Sequence, residues 1–548
     1  MNAESAYLFR HAVLRDAAYQ LQLPGDRGKL HGLALAAIEA LCGGRAPDPP
    51  PLDVRSACRS DPHPSDPFAD ELAGHAREAM ASEASPAVLK LYLKRAAAWA
   101  EADFRVERAG LRWREYAEFV DGAERGAAAL FAARALGQHG TTALSEQLFS
   151  MALESFRAAG DRRSEGIALQ VLAEHLVQIG RLEQARGIAE QSRTTLRDAG
   201  DTAAETTALA TLANVEFQSG HVGPAEQLYS EALREFRESG NRQGESVSLA
   251  NLGSLFSDTG RVAESESHFR QALALQRAAG DRRHEGMTLG SLAGLYQGMG
   301  RFAEAEQAFG EALAIHREIG TRPLEGLALG GLATLMRVTG RAELAGSLYG
   351  QALAIHREVG NRRLEGVELG RLANLRLETG RREEAEPLYR EALAIHREVS
   401  NRRAEGVTLG NLVSLFLETG RLEDAGRAGE AALAIHRQTG NRRSEARLLA
   451  NLVKLYLDTD RPEAAGKAIE TALAIQLEMH DVAGEATTRC ASAPWHFSQS
   501  RPNLALAEWR KGVALLRQLG DSAEIDRQVH AMRRMCGVAG VEGVGEGG

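Results

Sequence analysis

A glutamate returns at every fortieth position through most of the sequence: Glu165, Glu205, Glu245, Glu285, Glu325, Glu365, Glu405, Glu445 and Glu485. Nine returns without an insertion or deletion mark an array of equal units, which limits the chain to architectures in which each unit packs on its neighbours. The unit is clearest in GDRRHEGMTLGSLAGLYQGMGRFAEAEQAFGEALAIHREIG, from Gly280 to Gly320. Turn residues at Gly140, Gly180, Gly220, Gly260, Gly300, Gly340, Gly380, Gly420, Asp460 and Ser500 split each unit into two helices and predict ten hairpins. A second series, Gly160, Gly200, Gly240, Gly280, Gly320, Gly360, Gly440 and Gly520, falls where the second helix ends in a left-handed residue. Asp161, Asn241, Asp281, Asn361 and Asn441 follow these glycines and suit capping of the next helix.

An array buries its core between neighbours, so 548 residues can form one body rather than several domains. With aromatics at 5%, the seams between helices must be built mainly from Ala and Leu. The net charge of -9, from 65 basic and 74 acidic residues, gives no field that would gather nucleic acid or an anionic membrane and points to a protein partner. Cys42, Cys58, Cys490 and Cys536 are too scattered for a disulfide framework or a zinc site, which suits a reducing compartment. No apolar run reaches the ~20 residues of a membrane helix, so the expected location is cytoplasmic.

The expected organisation has five parts. Residues 1–44 read as two helices broken at Pro24 and Gly25, and 45–68 as a linker rich in proline. Residues 69–120 form a helical cap with Trp99 and Trp113 as anchors, 121–535 form the array, and 536–548 form a disordered glycine-rich tail.

The unit resembles the tetratricopeptide repeat through Leu289, Leu292, Ala293, Tyr296, Gly300, Ala305, Phe309, Ala312 and Leu313. Its 40-residue form, with the joint G-D/N-R-x-x-E-G, looks like the repeats of mitotic-spindle adaptors and, more loosely, of kinesin light chains. The resemblance implies an all-α fold: a right-handed superhelical solenoid of about ten tetratricopeptide-like helical hairpins. Residues 6–41 resemble the segment after the nucleotide-binding module of bacterial signalling ATPases linked to cyclases, kinases or transcription factors. Phe9, His11, Arg15, Tyr19, Arg27 and His31 carry that likeness, but the sequence has no G-x-x-x-x-G-K-[ST] loop to hold ATP.

Three recurring features tempt a catalytic or metal reading. The glutamates recur too often to mark one active site; in the first turn of each leading helix they complement the dipole, worth ~0.3–1 kcal/mol at an exposed site, and Arg282, Arg362, Arg402 and Arg442 stand near enough to pair. His316, His356, His396 and His436 form a second ladder, but equivalent atoms in adjacent units lie on the order of 10 Å apart, too far to share an ion. They are expected as partly buried, hydrogen-bonded packing residues. Arg181, Arg261, Arg301, Arg341, Arg381 and Arg421 follow the turns and read as solvated rather than as a phosphate ridge. No motif of catalytic spacing occurs, so no enzymatic activity and no cofactor or metal is expected.

What the resemblance adds is a groove lined by the leading helices. Its fifth family position holds Gly290, Gly330, Gly370 and Gly410, which leaves an open floor. The sixth holds Asn251, Arg371, Asn411 and Asn451, the ninth Asn214 and Asn374, and Arg337 lies nearby. Asp258, Glu378, Glu418 and Asp458 form an acidic rim suited to a partner with some basic character. The lysine that a chaperone-binding clamp needs at the fifth position is missing. The expected function is a non-enzymatic scaffold that holds a protein or peptide segment. The alternative is the sensor or regulatory arm of a signalling ATPase, kinase, cyclase or transcriptional regulator; neither nucleic acid nor membrane is an expected partner.

Overall fold

The computed structural model describes residues 24–54, 61–80, 85–139, 141–479, 481–519 and 522–539. Phe9, His11, Arg15, Tyr19, Cys58, the turn at Gly140, the cap at Gly520 and the tail from 540 lie outside them. All regular structure among the described residues is helical. The chain divides into two units, Met1–Ala168 and Leu169–Gly548.

In the first unit, helix Pro24–Leu41 opens at the proline that the sequence marks as a break, as suits a residue with fixed φ and no amide proton. Helices Ala69–Ala79, Pro86–Ala102, Val106–Ala117, Gly122–His139 and Thr142–Ala159 follow. Trp113 is fully buried against Tyr116 and Phe131, whereas Trp99 remains 42% exposed and is not the anchor its size suggests. The proline-rich stretch is tied down by side chains of Pro86–Ala102: Arg95 donates to the Pro47 carbonyl (2.9 Å) and Lys94 to that of Pro49 (3.5 Å). Arg95, itself buried, also pairs with Asp66 at 2.7 Å.

The second unit is the solenoid. Each repeat pairs a leading helix such as Arg282–Gly298 with a following helix such as Phe302–Glu318. Leu289, Leu292, Ala293, Tyr296, Ala305, Phe309, Ala312 and Leu313 all lie in one buried cluster. Each such leucine or aromatic contributes roughly 1.5–3 kcal/mol by leaving water. Asn241, Asp281, Asn361, Asn401, Asn441 and Asp481 cap the leading helices, accepting from the backbone N–H three residues on. Ser400, Asp460 and Ser500 keep the positive φ of the glycines they replace, so the repeat geometry overrides the steric cost of a side chain there. Consecutive leading helices touch one another and consecutive following helices do far less, so the leading helices occupy the inner side of the curve.

Two of the ladders differ from expectation. Glu165, Glu245, Glu285, Glu325, Glu365, Glu405 and Glu445 are 2–6% exposed, not surface residues. Each is forked by two arginines: the neighbour three residues before it, and one eight residues before it at the end of the preceding helix. For Glu285 these are Arg282 at 2.7 Å and Arg277 at 2.8 Å; for Glu365 they are Arg362 at 2.6 Å and Arg357 at 2.8 Å. Glu205 and Glu485 follow Thr202 and Val482 instead of arginine, and both are only half-buried. At Glu325 burial raises the carboxyl pKa, but hydrogen bonds from Arg317 and Arg322 outweigh it and leave the group below its ordinary range.

The histidines are buried packing residues, but only His316 has the expected hydrogen bond, from Nδ1 to Thr321 Oγ1 at 3.1 Å. Both ring nitrogens of His356, and Nδ1 of His396 and His436, find no partner among the described residues. Each ring lies over a glycine thirty residues earlier. A Cβ at Gly286, Gly326, Gly366 or Gly406 would come within 2.5–2.8 Å of the ring of His316, His356, His396 or His436. Phe156 lies over Gly126 in the same way, so the position asks for a flat ring rather than for imidazole chemistry.

Burial, reinforced by Arg371, Arg363 and the pair Arg447 and Arg403 respectively, pushes the pKa of His356, His396 and His436 down to about 4. The unfolded chain takes up these protons near pH 6.5, while the folded one resists until about pH 4. Stability is therefore full above pH 6.5 and falls steadily from there towards pH 4, by on the order of a few kcal/mol for each histidine. The combined substitution His356→Phe, His396→Phe and His436→Phe should flatten that slope in urea unfolding measured between pH 7 and pH 4.5. An unchanged slope would show that these rings are not the titrating groups.

Candidate interaction face

The charged network at a joint extends to the other helix of its own hairpin. Arg282, Arg322, Arg362 and Arg442 also reach Glu318, Glu358, Glu398 and Glu478 of the next following helix, at 2.5–3.0 Å. At the opposite end of the hairpins the turn arginines act between repeats. Arg261, Arg301, Arg341 and Arg421 pair with Glu226, Glu266, Glu306 and Glu386 of the preceding repeat at 2.7–2.9 Å. The guanidiniums of Arg261, Arg301 and Arg421 stack over Phe256, Tyr296 and Phe416 at 4.0–4.4 Å. These arginines are staples between repeats, not free solvated charges, and their charge is matched before any phosphate arrives.

With both rims stapled, the inner face of the leading helices is where the repeats vary. Of its glycines, Gly290 and Gly370 have open space where a Cβ would stand, and Gly410 meets only Leu448 at 3.8 Å. Gly330 differs, because a Cβ there would meet Glu368 Oε1 at 2.5 Å and Arg371 Nη1 at 2.8 Å. The expected open floor is therefore filled at this one place by an ion pair from the next repeat, Arg371 donating to Glu368 at 2.7 Å.

Glu368 is fully buried, and its Oε2 has no partner among the described residues. Burial raises its carboxyl pKa, and Arg371 only partly opposes that shift. Sequence reading missed Glu368. The signal was present: equivalent positions hold Ser248, Thr288, Ala328 and Thr408, so one carboxylate stands among small residues.

The other candidate residues fall into two groups. Asn214, Asn251 and Asn411 are half-buried, Asn451 is exposed, and none of the four makes a side-chain hydrogen bond among the described residues. Asn374 is committed, its Oδ1 accepting from the Tyr389 hydroxyl at 2.5 Å. The charged residues are matched inside the chain. Arg337 pairs with Glu378, Arg382 with Glu418 at 3.2 Å, Lys454 with Asp458, and Arg443 approaches Asp258 at 3.8 Å. The acidic rim thus carries little uncompensated charge.

A row of apolar side chains on the same helices went unnoticed in the sequence. Met287 and Leu327 are 45% and 39% exposed, and Val247, Val367 and Val407 stand half-buried at the equivalent positions. Their forty-residue spacing was the available signal. Among the described residues no group of three or more His, Cys, Asp or Glu is placed to hold a metal ion. No helix there is long and apolar enough to cross a membrane.

The family described as tetratricopeptide repeat matches residues 204–278, 245–318, 284–358, 323–398 and 367–438. Together these matches span residues 204–438, within the helical hairpins of the second unit, and they indicate no enzymatic family. They do not reach residues 6–41, and no comparison shows the expected likeness of that segment to signalling ATPases. No curated protein matches the chain in sequence.

Among solved structures, a Rap protein complexed with competence and sporulation factor is 14% identical and covers 66% of this chain and 99% of its own, with a TM-score of 0.47. Aspartyl phosphate phosphatase F from Bacillus subtilis is 13% identical over 64% of this chain and 93% of its own, with a TM-score of 0.42. BtubC from P. vanneervenii is 22% identical over 40% of this chain and 91% of its own, with a TM-score of 0.34.

A buried carboxylate with one unpartnered oxygen is a local cost at neutral pH. Glu368→Thr, matching Thr288 and Thr408, should stabilise the protein by about 1 kcal/mol at pH 7 in chemical denaturation, with the gain shrinking towards pH 4 as the wild-type carboxyl protonates. A loss of stability would show instead that the pair with Arg371, packed over Gly330 of the preceding repeat, contributes more than its burial costs.

Proposed function

We propose that the second unit is a non-enzymatic protein-interaction scaffold that holds an extended or helical segment of a partner along the inner face of its leading helices. The observation that carries this reading is the coincidence of two rows on that face. One is a row of amides without partners, Asn214, Asn251, Asn411 and Asn451; the other is a row of accessible apolar side chains around Met287 and Leu327. Amides can satisfy the backbone of a bound segment, and the apolar row supplies area to bury. The repeat match over residues 204–438 supports the same reading.

The rim carboxylates contribute less than their number suggests, because Arg337, Arg382 and Lys454 already answer them. Selectivity in this reading comes from amide placement and apolar fit, with basic character in the partner a secondary feature.

A photo-crosslinker placed at Leu327 should capture the partner segment, which mass spectrometry then identifies. With that segment as a synthetic peptide, Asn411→Ala combined with Asn451→Ala should weaken binding by about tenfold, the equivalent of ~1.4 kcal/mol for two lost hydrogen bonds. Gln351→Ala, on the exposed face of a following helix, should leave binding unchanged. Equal affinity for the double variant and the wild type would remove these amides from the binding face.

A further inference from the structure

Within the second unit, three arginines bridge residues far apart in sequence at one constant separation. Arg363 donates to the carbonyl of Gln178, Arg403 to Gln218 through its side-chain oxygen (2.6 Å) and its carbonyl (3.5 Å), and Arg443 to the carbonyl of Asp258 (2.7 Å). Each pair is separated by 185 residues. With a 40-residue repeat, the array therefore returns to its own edge after between four and five hairpins. Each acceptor is the last residue of a leading helix, where carbonyls lack intrahelical partners and the helix dipole is negative.

Burial follows the same line. Val359, Val399, Asn401, Thr439 and Asn441, at the joints that meet this edge, are 3–6% exposed, whereas Ala279 and Gly280 at an equivalent joint are exposed. A Cβ on Gly180 would stand 3.8 Å from Cβ of Thr439. The contact is incomplete, because a cavity of about 650 Å³ lies along it, lined by Gly180, Leu182, Ser219, Ser400, Arg402 and Thr439. Burial lowers the pKa of Arg363, to about 10, and that of Arg403, and neither has a carboxylate partner among the described residues.

We propose that the second unit is a closed coil whose later turn is latched onto its earlier turn by Arg363, Arg403 and Arg443, and that releasing this latch opens the array lengthwise. The rungs are guanidiniums on neutral carbonyls at helix ends, with only Arg443 near carboxylates, Asp258 at 3.8 Å and Asp481 at 3.6 Å, and are weaker than the forked pairs inside the joints. The seam over a partly empty cavity is therefore the place where the solenoid yields first. Salt weakens charge–dipole contacts, which makes the latch sensitive to ionic strength. This inference stands independently of what the inner face binds.

Small-angle X-ray scattering on the full chain tests it. Arg363→Ala combined with Arg403→Ala and Arg443→Ala should increase the radius of gyration and the maximum dimension with an unchanged far-UV circular dichroism spectrum. The wild type should move the same way between low salt and about 1 M salt, where screening falls to roughly 3 Å. A triple variant with native helicity and a wild-type scattering curve would overturn the latch.

A second variant is independent of the arginines. Gly180→Cys with Thr439→Cys places the two Cβ atoms 3.8 Å apart, within disulfide reach, and oxidation should join them within one chain. Oxidation should then abolish the salt-dependent expansion. A folded double-cysteine chain that forms no internal disulfide would show that the turns do not meet.

Discussion

The structure depends on a carboxylate taken out of water at most of the joints between hairpins, with Glu205 and Glu485 the half-buried exceptions. A buried ion persists only when geometry and hydrogen bonding compensate its lost hydration, and removing one partner of such a pair typically costs ~3–5 kcal/mol. Here the compensation comes from two helices at once. In the joint at Glu365, Arg357 belongs to the end of helix Ala342–Glu358 and Arg362 to the start of helix Arg362–Glu378. The glutamate can be satisfied in only a narrow range of angles between those helices. The joint thereby acts as a fixed bracket, and repetition of one bracket fixes one rotation per repeat.

From that rotation the larger features follow. A constant step bends the array with its leading helices inward, and it brings helix ends and later joints together at a constant separation of 185 residues. The glycine beneath each histidine lets the two helices of one hairpin pack closely, which keeps every repeat the same shape. Because the outer staples and joints repeat, they carry no information about a partner. Variation is left to the inner face, where Asn, Gly, Met and Leu alternate between otherwise equal repeats.

The fold was legible in the sequence because its causes are local and repeated. Gly280 at a left-handed end, Asp281 as cap and Leu292 at the hairpin seam each sit where chain-local chemistry requires them. The burial of Glu365 was not legible, because its second arginine lies across a turn and its exposure depends on how two helices dock. The missing arginine before Glu205 and Glu485 was the available hint. Asn374 and the rim carboxylates look available in the sequence although Tyr389, Arg337 and Arg382 already occupy them, since side-chain partners are set by packing rather than by spacing. Trp99 misleads for a related reason: size predicts an anchor only when a partner surface covers it.

A double-mutant cycle on Arg357 and Glu365 tests the bracket most directly. Unfolding free energies of the wild type, Arg357→Ala, Glu365→Gln and the combined variant should give a coupling energy of about 1–3 kcal/mol, well above the 0–1 kcal/mol of an exposed ion pair. A coupling below about 0.5 kcal/mol would mean that the joint is held by apolar packing alone, and that the recurring glutamate only accompanies the geometry attributed to it.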